Sequence, residues 1–567
     1  MGALFQEGIS CRHEVSLGLS AYGTFLFWGI EEKAEMIFIR KIFRRTHDHR
    51  VAVLGIIVAC IAFGFFLWLQ SDPTFADPDS FYHTKMALLI QEQGIITTFP
   101  WMQFTVISEH FTDQHFLYHV ALIPFVHFFD PLIGMKIATV LLATAVIVGS
   151  YLLLVALKVR YAAVYALLLL VVAPFSFRMS LAKAPSVSLL FLILGLLLLV
   201  KKKKIGLFIL SFIYVWSYGG FLLLLVMTGA WTVIGWIMDR RHHIPHLMRQ
   251  GFRRHMRNVI HNQHVQIFFS VFTGTMLGVV INPYFPSNLQ FYWHQLVQIG
   301  IINYRDVIGV GNEWYPYVFI ELVSNTIFLS IIIVMAAVLF GIFLRHQRRE
   351  GFVLAIMMVF FFVLTLKSKR YIEYYVPFGM LFGAVAINAA LQRMDFRHFL
   401  RDVGRWYMRH LVIGSILAVY FLVTLPTIAV RDMQVIKGDL SRGSSLTHFS
   451  QSSDWLKHST PAGSVVFHSS WDEFPSLFYN NSHNYYIIGL DPTFMYAYDK
   501  DMYQTMVNIT TGVFVPDVGR VLRDSFHASY VFVEKKHTAM RNLIVSDNRA
   551  ELVHEDSEAW IYQLLPL

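Results

Sequence analysis

The sequence predicts an α-helical polytopic membrane protein of about eleven transmembrane helices, followed by a C-terminal α/β domain. Of its 567 residues, 56% are hydrophobic and 15% are charged, whereas a soluble protein usually carries about 25% charged residues. Apolar runs of roughly 17 to 25 residues, long enough to cross a bilayer, recur up to position 430. Basic residues cluster in alternate connections between these runs, as the positive-inside rule requires of cytoplasmic loops.

The first strong apolar run, about Val51–Leu69, sets the expected orientation. Basic residues from Arg40 to Arg50 precede it, so residues 1–50 are predicted to be a cytoplasmic N-terminal segment. Such clusters also explain the net charge of +9, and we expect no nucleic-acid partner. Residues 51–430 form the predicted transmembrane domain. Its other spans are about Leu132–Leu157, Ile205–Ser217 and Gly219–Met238, with seven more that end near Arg178, Lys201, Asn282, Arg345, Lys367, Arg393 and Pro426.

Residues 431–567 differ in character from the spans before them. Their charges are evenly mixed, which indicates a water-exposed surface, and helical and β-rich stretches alternate, which favours a small α/β domain. The predicted helices are Leu446–His458 and Phe474–Asn481, and the predicted strands are Val465–His468, Tyr485–Gly489 and Tyr530–Glu534. The alternation of basic loops places this domain outside the cytoplasm, at the plasma membrane if the source is prokaryotic.

The connection after the first span, residues 70–130, carries the residues most suggestive of chemistry. Two carboxylates at a membrane surface acquire a raised proton affinity and can serve as general bases. An alternative remains open, in which Asp79 or Ser80 caps a helix that runs to about Gln93. A connection of about 60 residues is longer than ordinary connections and indicates function. Its two polar clusters read Phe75-Ala-Asp77-Pro-Asp79-Ser-Phe-Tyr-His83-Thr-Lys85 and Glu109-His110-Phe-Thr-Asp113-Gln-His115.

Basic residues at the outer ends of spans run against the usual charge bias. A bound phosphate group would explain them, because lysine and arginine are its usual partners. Two alternatives remain open, namely contact with phospholipid headgroups and pairing with Glu373 or Asp306. The outer basic residues are Arg178, Lys183, Arg305, Lys367, Lys369 and Arg370.

The order of these features resembles the GT-C membrane glycosyltransferases, and most of all the catalytic subunit of oligosaccharyltransferases. Members of that superfamily have a cytoplasmic N-terminus, a carboxylate in a long first outer loop, and often a soluble outer domain. The stretch from Asp79 to Lys85 is similar to the family motif Asp-x-Tyr-Tyr-His-x-Arg, with lysine in place of arginine. The resemblance implies that Asp79 is the catalytic carboxylate, with Asp77 as the alternative, and that His83 and Lys85 bind substrate.

Two further motifs extend the resemblance. Glu313, within Gly311-Asn312-Glu313-Trp314, is similar to a family glutamate in a mobile loop near the metal and the acceptor. Residues 469–474, Ser-Ser-Trp-Asp-Glu-Phe, look like a degenerate Trp-Trp-Asp-Tyr-Gly motif, which implies that Trp471, Asp472 and Glu473 contact the acceptor. The resemblance also implies that Arg178, Lys183, Arg305, Lys369 and Arg370 bind the phosphate of the donor.

The expected metal site departs from the family pattern. In the family the second outer loop supplies an acidic pair for Mg²⁺ or Mn²⁺, but here residues 178–185 read Arg-Met-Ser-Leu-Ala-Lys-Ala-Pro, without an acid. Asp79 and Glu313 are left as metal ligands, which is a small set for a cation that needs several oxygens. As an alternative, Lys183 and Arg178 replace the charge of the metal and hold the donor phosphate directly.

The resemblance implies an inverting glycosyltransferase. It would move a sugar or glycan from a polyprenyl-phosphate-linked donor to a glycan, lipid or protein acceptor at the outer face of the membrane. Two alternatives are a transporter or flippase of a lipid-linked intermediate and a non-catalytic membrane protein that binds a lipid-linked glycan. The acids lie in loops rather than in spans, and no repeated halves are evident, which disfavours a transporter.

Overall fold

The computed structural model describes residues 48–240 and 262–566. The predicted cytoplasmic segment 1–50 therefore lies outside the described residues, except for its last three positions. The chain divides into two units, Met1–Ile57 and Val58–Leu567. The described part of the first unit is the beginning of helix α1 (Asp48–Leu69), and every other described element belongs to the second unit.

α-Helices make up most of the described residues up to position 441, as the apolar runs predict. Before residue 241 they are α1, α2 (Asp79–Gln93), α3 (Val106–Glu109), α4 (Phe116–Phe128), α5 (Pro131–Ala156), α6 (Ala162–Leu168), α7 (Ala173–Ser180), α8 (Pro185–Val200), α9 (Lys204–Ser217) and α10 (Leu222–Arg240). After residue 261 they are α11 (Gln263–Val280), α12 (Ser287–Tyr292), α13 (Phe319–Asn325), α14 (Ile327–Ile342), α15 (Arg349–Lys367), α16 (Ile372–Leu391), α17 (Phe396–Arg409), α18 (Leu411–Val419) and α19 (Leu425–Ser441).

The predicted membrane architecture is confirmed, whereas the number of spans is not. Among the described residues, seven helices are long and apolar enough to cross a membrane, or up to nine if each of two bent pairs forms one span. The bent pairs are α6 with α7, at 81°, and α13 with α14, at 99°. The predicted count of about eleven included α8 and α9, which are apolar but have only 16 and 14 residues. At 1.5 Å per residue, helices of that length do not cover a hydrocarbon core of about 30 Å.

Helices α9 and α11 pack closely because α11 presents glycine to its neighbour. A Cβ atom at Gly274 would overlap the Phe208 carbonyl oxygen and the Ser211 hydroxyl. One turn further, the Trp216 indole N–H donates to the Gly278 carbonyl oxygen at 2.8 Å. Small residues four apart allow helix backbones to approach each other in membranes.

The C-terminal part contains the predicted mixed α/β domain. Its sheet has the strand order β4-β3-β5-β7-β6, in which β3 runs parallel to β4 and β5, and β7 runs antiparallel to β5 and β6. The strands are β3 (Val465–His468), β4 (Tyr485–Tyr486), β5 (Ala528–Glu534), β6 (Ala550–Glu555) and β7 (Ala559–Leu564). Helices α20 (Ser450–Ser459), α21 (Phe474–Asn480), α22 (Thr493–Tyr498), α23 (Lys500–Thr510), α24 (Val518–Asp524) and α25 (Thr538–Val545) accompany the sheet.

Backbone hydrogen bonds join the 70–130 connection to the C-terminal part. Strand β1 (Thr74–Phe75) pairs antiparallel with β2 (Ser444–Ser445) just after α19. Farther along the connection, Met102 forms a parallel bridge with Tyr486 of β4. The Trp101 indole N–H donates to the Ser482 carbonyl oxygen at 2.8 Å. These contacts fix the connection, and with it helix α2, against the C-terminal domain.

Candidate active site

Two carboxylates at the start of helix α2 share one lysine. Lys183 Nζ lies 2.7 Å from Asp77 Oδ2 and 2.8 Å from Asp79 Oδ2. Asp77 Oδ1 also accepts the backbone N–H of Asp79, at 2.9 Å. The helix begins at Asp79 and ends at Gln93, where the capping alternative puts it, but the supporting carboxylate is that of Asp77. The carboxylate of Asp79 therefore remains available to Lys183.

Arg178, at the end of α7, joins two glutamates from distant parts of the chain. Its Nε and Nη2 atoms donate to Glu373 Oε2 at 2.9 and 2.7 Å, and its Nη1 atom donates to Glu313 Oε2. The Glu373 side chain is completely buried, and that of Glu313 is 23% exposed. The pairing alternative for the outer basic residues is thus realised at Arg178.

Arg370 holds Glu313 from the opposite side. Its Nη1 atom lies 3.4 Å from Glu313 Oε1, and its Nη2 atom donates to the Tyr218 hydroxyl at 2.7 Å. The guanidinium carbon is 4.8 Å from the centroid of the Trp314 ring, within the range of a cation–π interaction. Glu313 is consequently fixed between two arginines.

The proton affinities of this cluster follow from its burial and charges. Burial raises the pKa of Asp79 to about 6, against the lowering effect of Lys183 and with smaller raising effects from Asp77 and Glu313. Burial alone would raise the pKa of Glu313, but Arg178, Lys183 and Arg370 outweigh it and hold that pKa well below its usual range. Burial would likewise lower the pKa of Lys183, but Asp77 and Asp79 outweigh it and keep that pKa above its usual range.

Two cavities meet at these side chains. The larger has a volume of about 890 Å³ and the smaller of about 120 Å³. Arg178 and Lys369 line the larger cavity, and His83 and Arg370 line the smaller one. The residues that line both are Asp79, Lys183, Glu313, Trp314, Leu490 and Asp491. The charged cluster therefore forms a wall between the two spaces.

Other predicted binding residues also reach the larger cavity. Trp471 and Asp472 line it from the C-terminal domain, and Asp77 lines it from the start of α2. A Cβ atom at Gly311 would lie 3.8 Å from the Trp471 ring, so the two motifs quoted for the family resemblance adjoin each other. Lys369 additionally lies 3.5 Å from Glu321.

Three predicted residues line neither cavity. Lys85 lies on α2 beyond the cavity-lining turn. Arg305 donates to the Lys367 carbonyl oxygen at 3.0 Å and lies 3.8 Å from Asp306. Glu473 is buried, and Oε2 of its carboxylate accepts the backbone N–H groups of residues 469 and 470 at 2.9 and 3.1 Å. A substrate-binding role for these three stays a prediction.

Asp79 and Glu313 do not fit Mg²⁺ or Mn²⁺ as a ligand pair. Such ions need about six oxygen ligands. The Asp79 carboxylate is paired with Lys183, and the Glu313 carboxylate with Arg178 and Arg370. Side-chain cations thus take the places that a dication would need beside these oxygens, in keeping with the alternative that lysine and arginine replace the metal.

Sequence reasoning missed several residues of the site. Tyr218, which accepts from Arg370, and Asp491, which lines both cavities, are not among the predicted residues. His119 is not among the predicted residues because it lies in the apolar helix α4, although it follows His115, the residue just before that helix, by only four positions. The carboxylate of Asp113 accepts from His119 Nδ1 at 2.7 Å and joins these residues into one cluster.

Comparison with solved structures identifies proteins of similar fold. No protein-family model matches the chain, and no curated protein matches it either. The oligosaccharyltransferase AglB from Archaeoglobus fulgidus, in complex with an inhibitory peptide and a dolichol-phosphate, superposes with a TM-score of 0.58 at 12% identity, covering 90% of this chain and 74% of AglB. ArnT from Cupriavidus metallidurans, bound to undecaprenyl phosphate, gives a TM-score of 0.52 at 14% identity, covering 90% of this chain and 97% of ArnT.

A further structural neighbour is the arabinofuranosyltransferase AftD from Mycobacteria, with a TM-score of 0.53 at 11% identity, covering 90% of this chain and 40% of AftD. The fold shared with all three neighbours extends over most of the chain. At such low identities the likeness shows the fold alone, and it confirms the fold predicted from the sequence.

Proposed function

We propose that this integral membrane protein with the GT-C fold is a glycosyltransferase that uses a polyprenyl-phosphate-linked donor. Two of the structural neighbours were solved with a polyprenyl phosphate, AglB with a dolichol-phosphate and ArnT with undecaprenyl phosphate. One observation carries the proposal for this chain: Asp79, Lys183 and Glu313 line both cavities. A donor in one cavity and an acceptor in the other would meet at a carboxylate and a cation.

The larger cavity is assigned to the donor. Arg178, Lys183 and Lys369 line it, and charge-assisted hydrogen bonds from such groups are the strongest that a phosphate can receive. Helix α19, part of an apolar candidate span, contributes Val435 and Ile436 to the same wall. A carrier with a polar head and an apolar tail fits this combination.

The transfer step centres on Asp79. Its carboxylate accepts the proton of the acceptor O–H or N–H group while the acceptor atom bonds to the anomeric carbon of the sugar. The bond from that carbon to the phosphate oxygen breaks, and the lipid phosphate leaves with the electron pair. Lys183 and Arg178 stabilise the charge that develops on the departing oxygen, which is the main electrostatic demand of the reaction. Attack from the smaller cavity, opposite the leaving group, inverts the anomeric centre.

The orientation in the membrane belongs to the same proposal. Basic clusters on alternate loops support a cytoplasmic N-terminus, a transmembrane domain over residues 51–430 and an extracytoplasmic domain over residues 431–567. The reaction then takes place at the outer face of the membrane, with a glycan, lipid or protein as acceptor. Trp471 and Asp472 would approach the reactants from the outer domain.

A transfer assay in nanodiscs tests the proposal, with membrane extract as the source of lipid-linked sugars and acceptors. Asp79→Asn should lower the rate at least about 100-fold, the lower end of what a general base contributes. Asp306→Asn is the matched control, since Asp306 is 89% exposed and lines neither cavity. Addition of Mg²⁺ or Mn²⁺ should leave the rate unchanged. A folded Asp79→Asn variant that transfers sugar as fast as the wild type contradicts the assignment.

A further inference from the structure

Three histidines converge beside the smaller cavity, one on helix α2, one immediately before α4 and one in the first turn of α4. One ring nitrogen from each of His83, His115 and His119 lies within 4.8 Å of those of the other two. His83 Nδ1 is 2.8 Å from His119 Nε2. His119 is completely buried and His83 is 4% exposed, while His115 is half-buried and lines the cavity together with His83. The proposed transfer step uses none of these rings.

Asp113 determines which nitrogen of His119 is available. Its Oδ2 atom accepts the proton on His119 Nδ1 at 2.7 Å, and its side chain is only 1% exposed. Because Nδ1 carries the proton, the lone pair of His119 lies on Nε2, the atom that faces His83. The Asp113 Oδ1 atom also accepts the backbone N–H of His115 at 2.9 Å. The carboxylate thus orients the ring of His119, as carboxylates do behind the histidine ligands of protein metal sites, and it holds the backbone of His115 beside it.

We propose that His83, His115 and His119 form a binding site for one transition-metal dication of the Zn²⁺ type, with Asp113 as the residue that positions His119. Imidazole nitrogen suits zinc and its neighbours in the first transition row, whereas Mg²⁺ requires oxygen ligands. The site is distinct from the Asp79 and Glu313 pair, whose carboxylates are engaged by lysine and arginine.

The dimensions of the cluster fit such an ion. Zinc–nitrogen bonds of about 2.0–2.1 Å in a tetrahedral site put ligand nitrogens roughly 3.3 Å apart. His83 Nδ1 and His119 Nε2 are 2.8 Å apart, joined by a hydrogen bond, so His83 Nδ1 would give up its proton and the two nitrogens would separate by about 0.5 Å to admit the ion. The His115 nitrogen lies within 4.8 Å of both, and a rotation of its half-buried ring would bring it into range. Three protein ligands leave a fourth position for water or another oxygen ligand, the pattern of catalytic rather than structural zinc sites.

A dication at this position would change the electrostatics of the cavity. Neutral imidazoles bring no negative charge, so the full charge of the ion adds to that of Lys183 and Arg370 on the same wall. When bound, the ion would supply Lewis acidity toward an oxygen of the acceptor. This role rests on the proposed glycosyl transfer, but the binding of the ion does not.

Metal content of the purified protein tests the inference directly. The full chain, purified through a tag without histidine, is dialysed against Zn²⁺ and then against metal-free buffer, and bound zinc is measured by mass spectrometry. The wild type should retain about one ion per chain, as expected for a single site of three histidines. His115→Ala, which removes the most accessible ligand, should retain about one ion per chain less than the wild type. Asp113→Asn should weaken zinc binding by about 10- to 100-fold in calorimetric titration.

The matched control is His127→Ala on the same helix. His127 is exposed and contacts Gln91 at 2.9 Å, so its removal should leave the zinc content unchanged. Since the chain has 25 histidines, weak sites elsewhere add an equal background to every variant. With Co²⁺ in place of Zn²⁺, the wild type should show the visible absorption of a tetrahedral site, and His115→Ala should not. Addition of Mg²⁺ should not displace the bound Co²⁺.

Wild-type protein that retains no more zinc than His115→Ala overturns the inference. A His127→Ala variant that loses as much zinc as His115→Ala overturns it too. The outcome is separable from that of the proposed function. Asp79→Asn should keep its zinc while losing transfer. A wild type that transfers sugar but retains no zinc refutes the metal site and leaves the transfer proposal standing.

Discussion

Arg178→Met should destabilise the protein by about 3 to 5 kcal/mol, the cost of leaving one partner of a buried ion pair without the other. Glu373 has no exposed side-chain surface, and Arg178 donates twice to its Oε2 atom, at 2.9 and 2.7 Å. Its other oxygen, Oε1, is buried without a hydrogen-bond partner among the described residues. Within the described part of the chain, no second donor therefore compensates for the loss of the guanidinium.

The double variant Arg178→Met/Glu373→Gln separates this pairing from other effects. Replacing the carboxylate by a neutral amide removes the unpaired charge, so the double variant should recover about 2 kcal/mol or more relative to the sum of the single variants. The free energy of unfolding would be measured by denaturant titration in detergent micelles. Arg431→Met is the control, because Arg431 lines the larger cavity, as Arg178 does, but is 71% exposed. This variant should change the free energy of unfolding by no more than about 0.5 kcal/mol. Additivity of the two single variants within about 0.5 kcal/mol refutes the reasoning.

Three further predictions follow from the site and the helix packing. The kcat/KM of transfer should rise with pH through about 6, since Asp79 must be ionised to accept a proton and burial raises its pKa to about 6. Lys183→Met should move the midpoint of this rise to higher pH, and an unchanged midpoint would contradict the pairing of Lys183 with Asp79. Arg370→Lys should raise KM several-fold with a smaller effect on kcat, because lysine lacks the forked guanidinium group that contacts Tyr218 and Glu313 together. A fall in kcat as large as the rise in KM would argue against a binding role for Arg370. Gly274→Leu should lower stability by about 1 to 3 kcal/mol, measured by thermal unfolding, and an unchanged midpoint would contradict the close contact of α9 and α11.

The helical membrane fold follows from local features that the sequence carries in every window. Apolar runs and basic loops predict where helices such as α5 and α16 lie, because the bilayer acts on each segment separately. The number of spans depends on breaks such as the 81° bend between α6 and α7. Strand β6 is not among the predicted strands, since three of the six residues of Ala550–Glu555 are polar and none is fully buried, which leaves little periodic signal at the edge of a sheet.

The candidate site was foreseen as a set of residue types rather than as a set of contacts. Lys183 and Arg178 could be singled out because basic residues at the outer ends of spans are unusual, and Asp79 because it lies in the long connection after the first span. Glu313 was predicted only from the resemblance of its motif to that of the family. Pairing with Glu373 was an open alternative for the outer basic residues in general, but the sequence does not show that Arg178 is the partner, since the two residues are 195 positions apart and no local pattern specifies such a contact. Tertiary packing alone determines which carboxylate each cation meets.

The bond between Trp101 and Ser482 joins positions 381 residues apart, and this has a consequence for the order of events during synthesis. At about 5 to 20 residues per second, roughly 20 to 80 s pass between the translation of these two residues. Throughout that interval the segment that carries Asp79 has no β4 edge to pair with, and its backbone polar groups must be satisfied by water or by other proteins. The membrane helices can thus be inserted long before the candidate site is complete, and a nascent chain interrupted before β4 would reside in the bilayer without that site.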